Sequence, residues 1–253
     1  MDLLQLSKNA TILALEKLHE LDKKNIKNYK FSSEISRELK ADADLIIENI
    51  LISELAKSGL NILSEEQGLK ESDSTSKLTF IIDPIDGTVN FVRGIINCSI
   101  SIALFDGEKP IFGVLGSYPS NSIAWGGKDI GSFMEEIPLK VSTIKEIDKS
   151  VLCSGFPSRF DFSSNKVNQF INQIKNFNKI RMLGSASQSL LHLAKGSVEV
   201  YLENNIMIWD VAAGIAIVEG AGGEYRLSHN EFIYPLDVIA SNNKIENLIW
   251  PIK

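Results

Sequence analysis

The run Leu78-Thr79-Phe80-Ile81-Ile82 leads directly into Asp83-Pro84-Ile85-Asp86-Gly87-Thr88, and no other stretch constrains the fold as tightly. An apolar, β-branched run of this kind is a buried strand. Pro84 disfavours helical backbone at Asp83, so the strand ends extended with a carboxylate at the end of its sheet. Gly87 lets the backbone approach a ligand closely or take an unusual dihedral. Thr88 then opens a turn or short helix whose free N–H groups form an anion site. Two carboxylates beside such a site repel a phosphate unless a cation sits between them. Hard oxygen donors select Mg²⁺, Mn²⁺ or Ca²⁺ over soft metals. In isolation the hexapeptide also suits a plain strand-ending turn, since Asp, Pro and Gly are turn residues.

Two more segments offer acids at the ends of elements. Ser64-Glu65-Glu66-Gln67 follows a short strand at 60–63, and alone it reads as a capping box at a helix start. Trp209-Asp210-Val211-Ala212-Ala213-Gly214 opens a helix, where Asp210 alone reads as an N-cap. The glycines at 220, 222 and 223 follow that helix rather than precede one, so a dinucleotide-binding loop is rejected. Together the three segments supply Glu65, Asp83, Asp86 and Asp210, with no Lys or Arg in any of them.

Hydrophobic periodicity predicts helices at about 2–22 and 42–58, the second with Ile47, Ile50, Leu51 and Leu55 on one face. Residues 70–77 read as a polar loop. Residues 98–105 and 111–118 read as paired strands around the turn Asp106-Gly107. Helices follow at about 164–177, 186–195 and 211–219, with a strand at 198–202 and a last helix at 242–249 capped by Ser241. This alternation without a strict βαβ repeat implies a layered α/β or α+β fold. The Gly/Pro-rich stretch from Gly126 to Pro138 reads as a seam. It divides an N-terminal half, 1–135, carrying Glu65 and the Asp83–Thr88 motif, from a C-terminal half, 136–253, carrying Asp210.

Charge argues against nucleic acid as a partner, because 26 basic against 32 acidic residues leave −6 and there is no basic stripe. The apolar run Val211–Val218 stops at Glu219, far short of a membrane span. The start, Met1-Asp2-Leu3-Leu4, reads as an amphipathic helix rather than a targeting segment. Cys98 and Cys153 make no disulfide framework or metal motif, so both are expected to be buried small hydrophobes in a reducing cytoplasm. His19, His192 and His229 are expected at packing or surface positions.

The chain resembles the inositol monophosphatase family, the lithium-sensitive, Mg²⁺-dependent phosphatases. Asp83-Pro84-Ile85-Asp86-Gly87-Thr88-Val89-Asn90-Phe91 is similar to that family's first signature, and Trp209 to Gly223 to its second. Ser64-Glu65-Glu66 matches its glutamate motif, and Arg181-Met182-Leu183-Gly184-Ser185-Ala186 resembles its substrate segment. The resemblance implies a five-layered αβαβα sandwich and two or three Mg²⁺ ions. It implies that Glu65, Asp83 and the Ile85 carbonyl bind one ion, that Asp83, Asp86 and Asp210 bind a second, and that Glu65 helps hold a third. It further implies that Thr88 and Glu65 orient the attacking water and that Asp44 accepts the Thr88 hydroxyl hydrogen. Phosphate rests on the Gly87 and Thr88 N–H groups. Gly184, Ser185, Ala186 and Glu203 meet the sugar or cyclitol hydroxyls.

By the same resemblance the protein is a cytoplasmic homodimer acting on a small phosphorylated metabolite. Val89 stands where the signature usually has a second Thr. The segment Lys30–Lys40 lacks the usual Ser-Pro stretch, although Lys30 or Lys40 could supply the basic residue near the phosphate. The region from Gly126 to Val141 is shorter than usual. Fructose 1,6-bisphosphate, histidinol phosphate and adenosine 3′,5′-bisphosphate are the alternative substrates. Asn90-Phe91 fits the inositol branch better than the nucleotide branch. The remote alternative is an inactive relative that only binds a phosphate metabolite.

Overall fold

A computed structural model of the chain describes residues 1–23, 42–156, 160–228, 235–246 and 248. Among the described residues, two sheets and five of the six α-helices stack in five layers. The first sheet has the order β2-β1-β3-β4-β5-β6-β7-β8. Its strands are β1 (Asn61–Ser64), β2 (Gly68–Lys70), β3 (Thr79–Asp86), β4 (Cys98–Phe105), β5 (Pro110–Tyr118), β6 (Ile123–Gly127), β7 (Gly131–Met134) and β8 (Ile137–Pro138). The second sheet has the order β10-β9-β11-β13-β12. It comprises β9 (Val151–Ser154), β10 (Lys179–Arg181), β11 (Val200–Ile206), β12 (Glu224–Leu227) and β13 (Leu236–Ser241).

Alternation along the strands assigns each face a partner, because successive side chains point to opposite sides. Phe80, Ile82, Ile100, Ile102 and Val114 face helices α1 (Leu3–Lys23) and α2 (Asp42–Leu55) in one core. Ile81, Ala103, Phe105 and Leu115 face the other way. There α5 (Ala186–Ala194) and α6 (Ile208–Gly220) form a middle layer. The far side of that layer is closed by Cys153, Tyr201, Val238 and Ala240 of the second sheet. Leu152, Val200 and Leu202 point outward onto Phe170 and Ile174 of α4 (Ser164–Ile174). The order is therefore α1/α2, first sheet, α5/α6, second sheet, α4, as the αβαβα expectation has it. Among the described residues no helix is long and apolar enough to cross a membrane.

The structure corrects several local expectations. Residues 65–67 form the turn of the β1–β2 hairpin rather than a capped helix start, and Ser64 Oγ donates to Gly68 O at 3.4 Å. The stretch 126–138 carries the end of β6 together with β7 and β8, so its glycines and proline serve short edge strands. Of the helix expected at 242–249 the described residues form none: Ser241 ends β13, residues 242–246 are irregular, and residue 247 and those from 249 onward lie outside the described residues. Helix α6 starts at Ile208, which puts Asp210 inside its first turn rather than at its N-cap. Lys30, Lys40 and His229 lie outside the described residues. Both cysteines are free and buried.

Helix α6 lies directly on β5. A Cβ added at Gly113 would sit 2.2 Å from the Ala213 carbonyl oxygen, a backbone atom that cannot swing aside. We expect Gly113→Ala to cost about 1–3 kcal/mol by overpacking, read as a lower urea midpoint. Because α6 carries Asp210, the variant should lose activity even where it remains folded. Wild-type stability in this variant would show that the two backbones are not in contact.

Candidate active site

The acids of the first motif share one face because the strand is irregular. In a regular strand, residues three apart point to opposite sides. In β3, Asp83 pairs with Ser101 and Asp86 with Ser99, so three steps on one strand match two on the other. That β-bulge turns both carboxylates toward the middle layer, and Pro84 sits where a strand tolerates proline. Every residue of β3 is buried, which aims two charges into the interior.

Each acid is held by backbone. Asp83 Oδ1 accepts from Ile85 N at 3.0 Å. Asp86 lies against the start of α5: Oδ2 accepts from Ser185 Oγ at 2.5 Å, from Ser187 N at 2.7 Å and from Ser187 Oγ, while Oδ1 accepts from Ala186 N at 3.3 Å. Asp210 reaches back from the first turn of α6 to accept from Met207 N at 3.2 Å. Two helix N-termini, whose partial positive charge favours anions, thus each hold one acid. Asp83, Asp86 and Asp210 have oxygens that all lie within 4.8 Å of one another. Glu65 is outside that group, at the β1–β2 turn, but its charge acts on both Asp83 and Asp210.

Burial is the largest cause raising the Asp83 carboxyl well above the ordinary 3.8, followed by the charges of Glu65, Asp210, Asp86 and Asp44. Asp210 is raised well above the same value by burial first and then by Asp86 and Glu65, against a hydrogen bond shared with Asp83. Asp86 is also raised by burial, and the donors on its oxygens oppose the shift. Among the described residues no basic side chain forms an ion pair with Asp83, Asp86 or Asp210. Buried like charges of this kind are stable together only with protons or a cation between them. An all-carboxylate donor set fits a hard divalent cation.

The remaining predicted residues lie around these acids. Gly87 takes φ 89°, and a Cβ there would meet Asn97 O at 3.0 Å and Gly184 O at 3.1 Å, so only glycine fits. Thr88 begins α3 (Thr88–Arg93), and its hydroxyl lies 2.9 Å from Ile85 O and 3.4 Å from Asp44 Oδ1. Its shorter contact is therefore to the carbonyl. Asn90, read from sequence as part of the motif and as a mark of the inositol branch, is also a tie: its amide nitrogen donates to Asn97 O and Leu183 O, both at 2.8 Å. It clamps α3 to the segment bearing Gly184. Ser185 caps α5 and is committed to Asp86. Glu203, on β11, accepts from Tyr201 Oη at 2.8 Å, and burial above all pushes its carboxyl up to about 7. Sequence reasoning missed Glu48 and Ser187. Glu48 is buried in α2, and its Oε1 accepts from Glu66 N at 3.0 Å and Gln67 N at 3.2 Å, fixing the turn beside Glu65. Its burial on the same helical face as Asp44, one turn away, was the available signal.

A five-layered α/β fold with an acid cluster buried at the ends of β3, α5 and α6 is the build of a metal-dependent phosphatase. The sequence pattern of the inositol monophosphatase family matches residues 3–250, and the chain belongs to that family. An inositol-1-monophosphatase of Caulobacter vibrioides is 30% identical over 216 residues, 81% of this chain and 82% of that protein. A fructose-1,6-bisphosphatase/inositol-1-monophosphatase of Aquifex aeolicus is 30% identical over 195 residues, 76% of this chain and 72% of its own. The crystal structure of the extragenic suppressor protein suhB from Bartonella henselae superposes with a TM-score of 0.85 at 26% identity, covering 96% of this chain and 95% of the other. The chain is a phosphoric monoester hydrolase of this family, which acts on small phosphorylated substrates.

The raised carboxyls have a sign that can be tested. A group whose folded pKa exceeds its unfolded value contributes most below the unfolded value, here 3.8, and loses that contribution as pH rises through the folded value. In EDTA at pH 7.5, Asp83→Asn should therefore stabilise the chain by about 1 kcal/mol, because the amide still accepts from Ile85 N without the charge. The gain should shrink toward pH 4. A urea titration that finds the variant less stable at pH 7.5 would contradict this electrostatic account.

Proposed function

We propose that the protein is a Mg²⁺-dependent phosphatase of a small sugar or cyclitol phosphate, with water rather than a side chain as the nucleophile. The trio of buried Asp83 and Asp86 with half-buried Asp210, with no basic partner among the described residues, is the observation that carries this reading. Glu65, Asp83 and the Ile85 carbonyl would hold one ion, Asp83, Asp86 and Asp210 a second, and Glu65 would help with a third. A divalent cation bound there acidifies a coordinated water and neutralises phosphate oxygens. Thr88 gives its hydroxyl hydrogen to Asp44 or to the Ile85 carbonyl, which leaves its lone pairs to accept from the attacking water. Glu65 accepts a second hydrogen from that water and fixes its direction. The N–H groups of Gly87 and Thr88 hold the phosphate oxygens. Gly184, Ser185, Ala186 and Glu203 meet the hydroxyls of the organic part. No covalent enzyme intermediate is required.

The relatives' names support an inositol monophosphate or fructose 1,6-bisphosphate as substrate. The test is phosphate release in Mg²⁺ and in EDTA from inositol 1-phosphate, fructose 1,6-bisphosphate, histidinol phosphate and adenosine 3′,5′-bisphosphate. We expect one preferred, metal-dependent substrate, and a loss of roughly 100-fold or more in kcat for Asp83→Asn. Full activity of that variant would sink the assignment of the acids. Li⁺ is expected to inhibit at millimolar concentration by replacing one Mg²⁺. Insensitivity to Li⁺ would count against the inositol branch and leave the reaction class standing.

A further inference from the structure

The hydrogen bonds on Asp86 are unevenly shared. Oδ2 receives three donors, Ser185 Oγ, Ser187 N and Ser187 Oγ, whereas Oδ1 receives only Ala186 N at 3.3 Å. A carboxylate oxygen has two lone pairs, so Oδ2 is saturated and Oδ1 keeps spare capacity. The direction of each bond follows from the inventory of hydrogens. An ionised Asp86 accepts only, so the single hydroxyl hydrogen of Ser187 goes to it. Ser187 Oγ also lies 2.5 Å from Ser99 Oγ, and having no hydrogen left it must accept there. Ser99 therefore donates to Ser187, and Ser187 donates to Asp86. Ser99 is the residue paired with Asp86 across β3 and β4, so the sheet supplies both ends of the chain and α5 supplies its middle. Ser99 and Ser187 are fully buried, and water cannot replace either. Gln188 Nε2 donates to Ser117 Oγ at 2.9 Å and pins the same helical turn to β5.

We propose that Ser187, backed by Ser99, is a positioning residue for the cation. It rotates Asp86 so that Oδ2 is spent on α5 and Oδ1 is left to the acid cluster. This rests on the metal-site reading given under Proposed function. Without the two hydroxyls the carboxylate keeps only its bonds to Ser185 and to the backbone, and either oxygen can turn toward the ion.

The test is Ser187→Ala, with Ser99→Ala as a second variant whose lost hydroxyl makes no hydrogen bond to the Asp86 carboxylate. Divalent-cation affinity is read directly, by calorimetry with Mg²⁺ and by spin resonance of bound Mn²⁺ on the resting protein, and separately as the Mg²⁺ dependence of phosphate release. A hydrogen bond to a charged group is worth enough that Ser187→Ala should weaken cation binding by roughly tenfold. Ser99→Ala should shift it less and in the same direction. The KM for the phosphate ester at saturating Mg²⁺ should stay within about twofold, and kcat should recover as Mg²⁺ is raised. Cation affinity unchanged in both folded variants would overturn the proposal, as would a fall in kcat that Mg²⁺ does not rescue. Absence of cation binding in the wild-type protein would instead defeat the metal-site reading itself, so the two failures are distinct.

Discussion

Three carboxylates within 4.8 Å of one another, Asp83 and Asp86 buried and Asp210 half-buried, are an electrostatic burden around which the rest of the molecule is arranged. Desolvation raises each of them, repulsion from neighbouring acids adds to the shift of Asp83 and Asp210, and the chain supplies no ion-paired base among the described residues. What it supplies instead are fixed dipoles. Asp86 takes N–H groups from the start of α5, and Asp210 bonds back to the first turn of α6. Fixed donors of this kind cost no reorganisation when a ligand arrives. They hold the charges ready without neutralising them, which is what a site that exchanges cations needs.

The middle layer makes this arrangement rigid. Helices α5 and α6 are packed from both sides by sheets, so their N-termini cannot drift relative to β3. Small residues set the spacing: Gly113 lets the α6 backbone touch β5. Close packing at native density transmits such constraints over several side chains. Glu203 and Gly184 sit on different supports, the first on β11 and the second in the segment clamped by Asn90.

Much of this was legible in the sequence, for reasons that differ by element. The buried run before Asp83 and the two helices that open the N-terminal half, α1 and α2, follow from hydrophobic periodicity. The acid motifs were visible because carboxylates without nearby bases are unusual at element ends. What pattern alone did not show was orientation. Asp83 and Asp86 are three apart, and only the bulge opposite Ser99 and Ser101 brings them to one face. Local propensity misread residues 64–67, whose Ser and Gln suit a helix start, because pairing of β1 with β2 closes the chain as a hairpin. It placed Asp210 at the N-cap because Ile208 and Trp209 belong to the helix only through burial between two sheets. Strands β9, β10 and β13 are short segments completed by partners distant in the chain, and β12 pairs only with β13 at the sheet's edge. Ser187 carried no signal at all, since a serine in a helix earns a role only from what faces it.

The bulge, the two helix starts and the β1–β2 turn lie in four separate stretches of the chain, so no fragment of it owns the acid cluster. An emerging polypeptide that has made the first sheet has two of the three closely grouped carboxylates and lacks the third until α6 docks on β5. Closing such long loops is slow compared with forming helices and hairpins. A cation held as proposed by Asp83, Asp86 and Asp210 would therefore meet all three only after the layers have stacked, and would then tether the first sheet to the middle layer. Binding the ion and reporting that folding is finished become the same event.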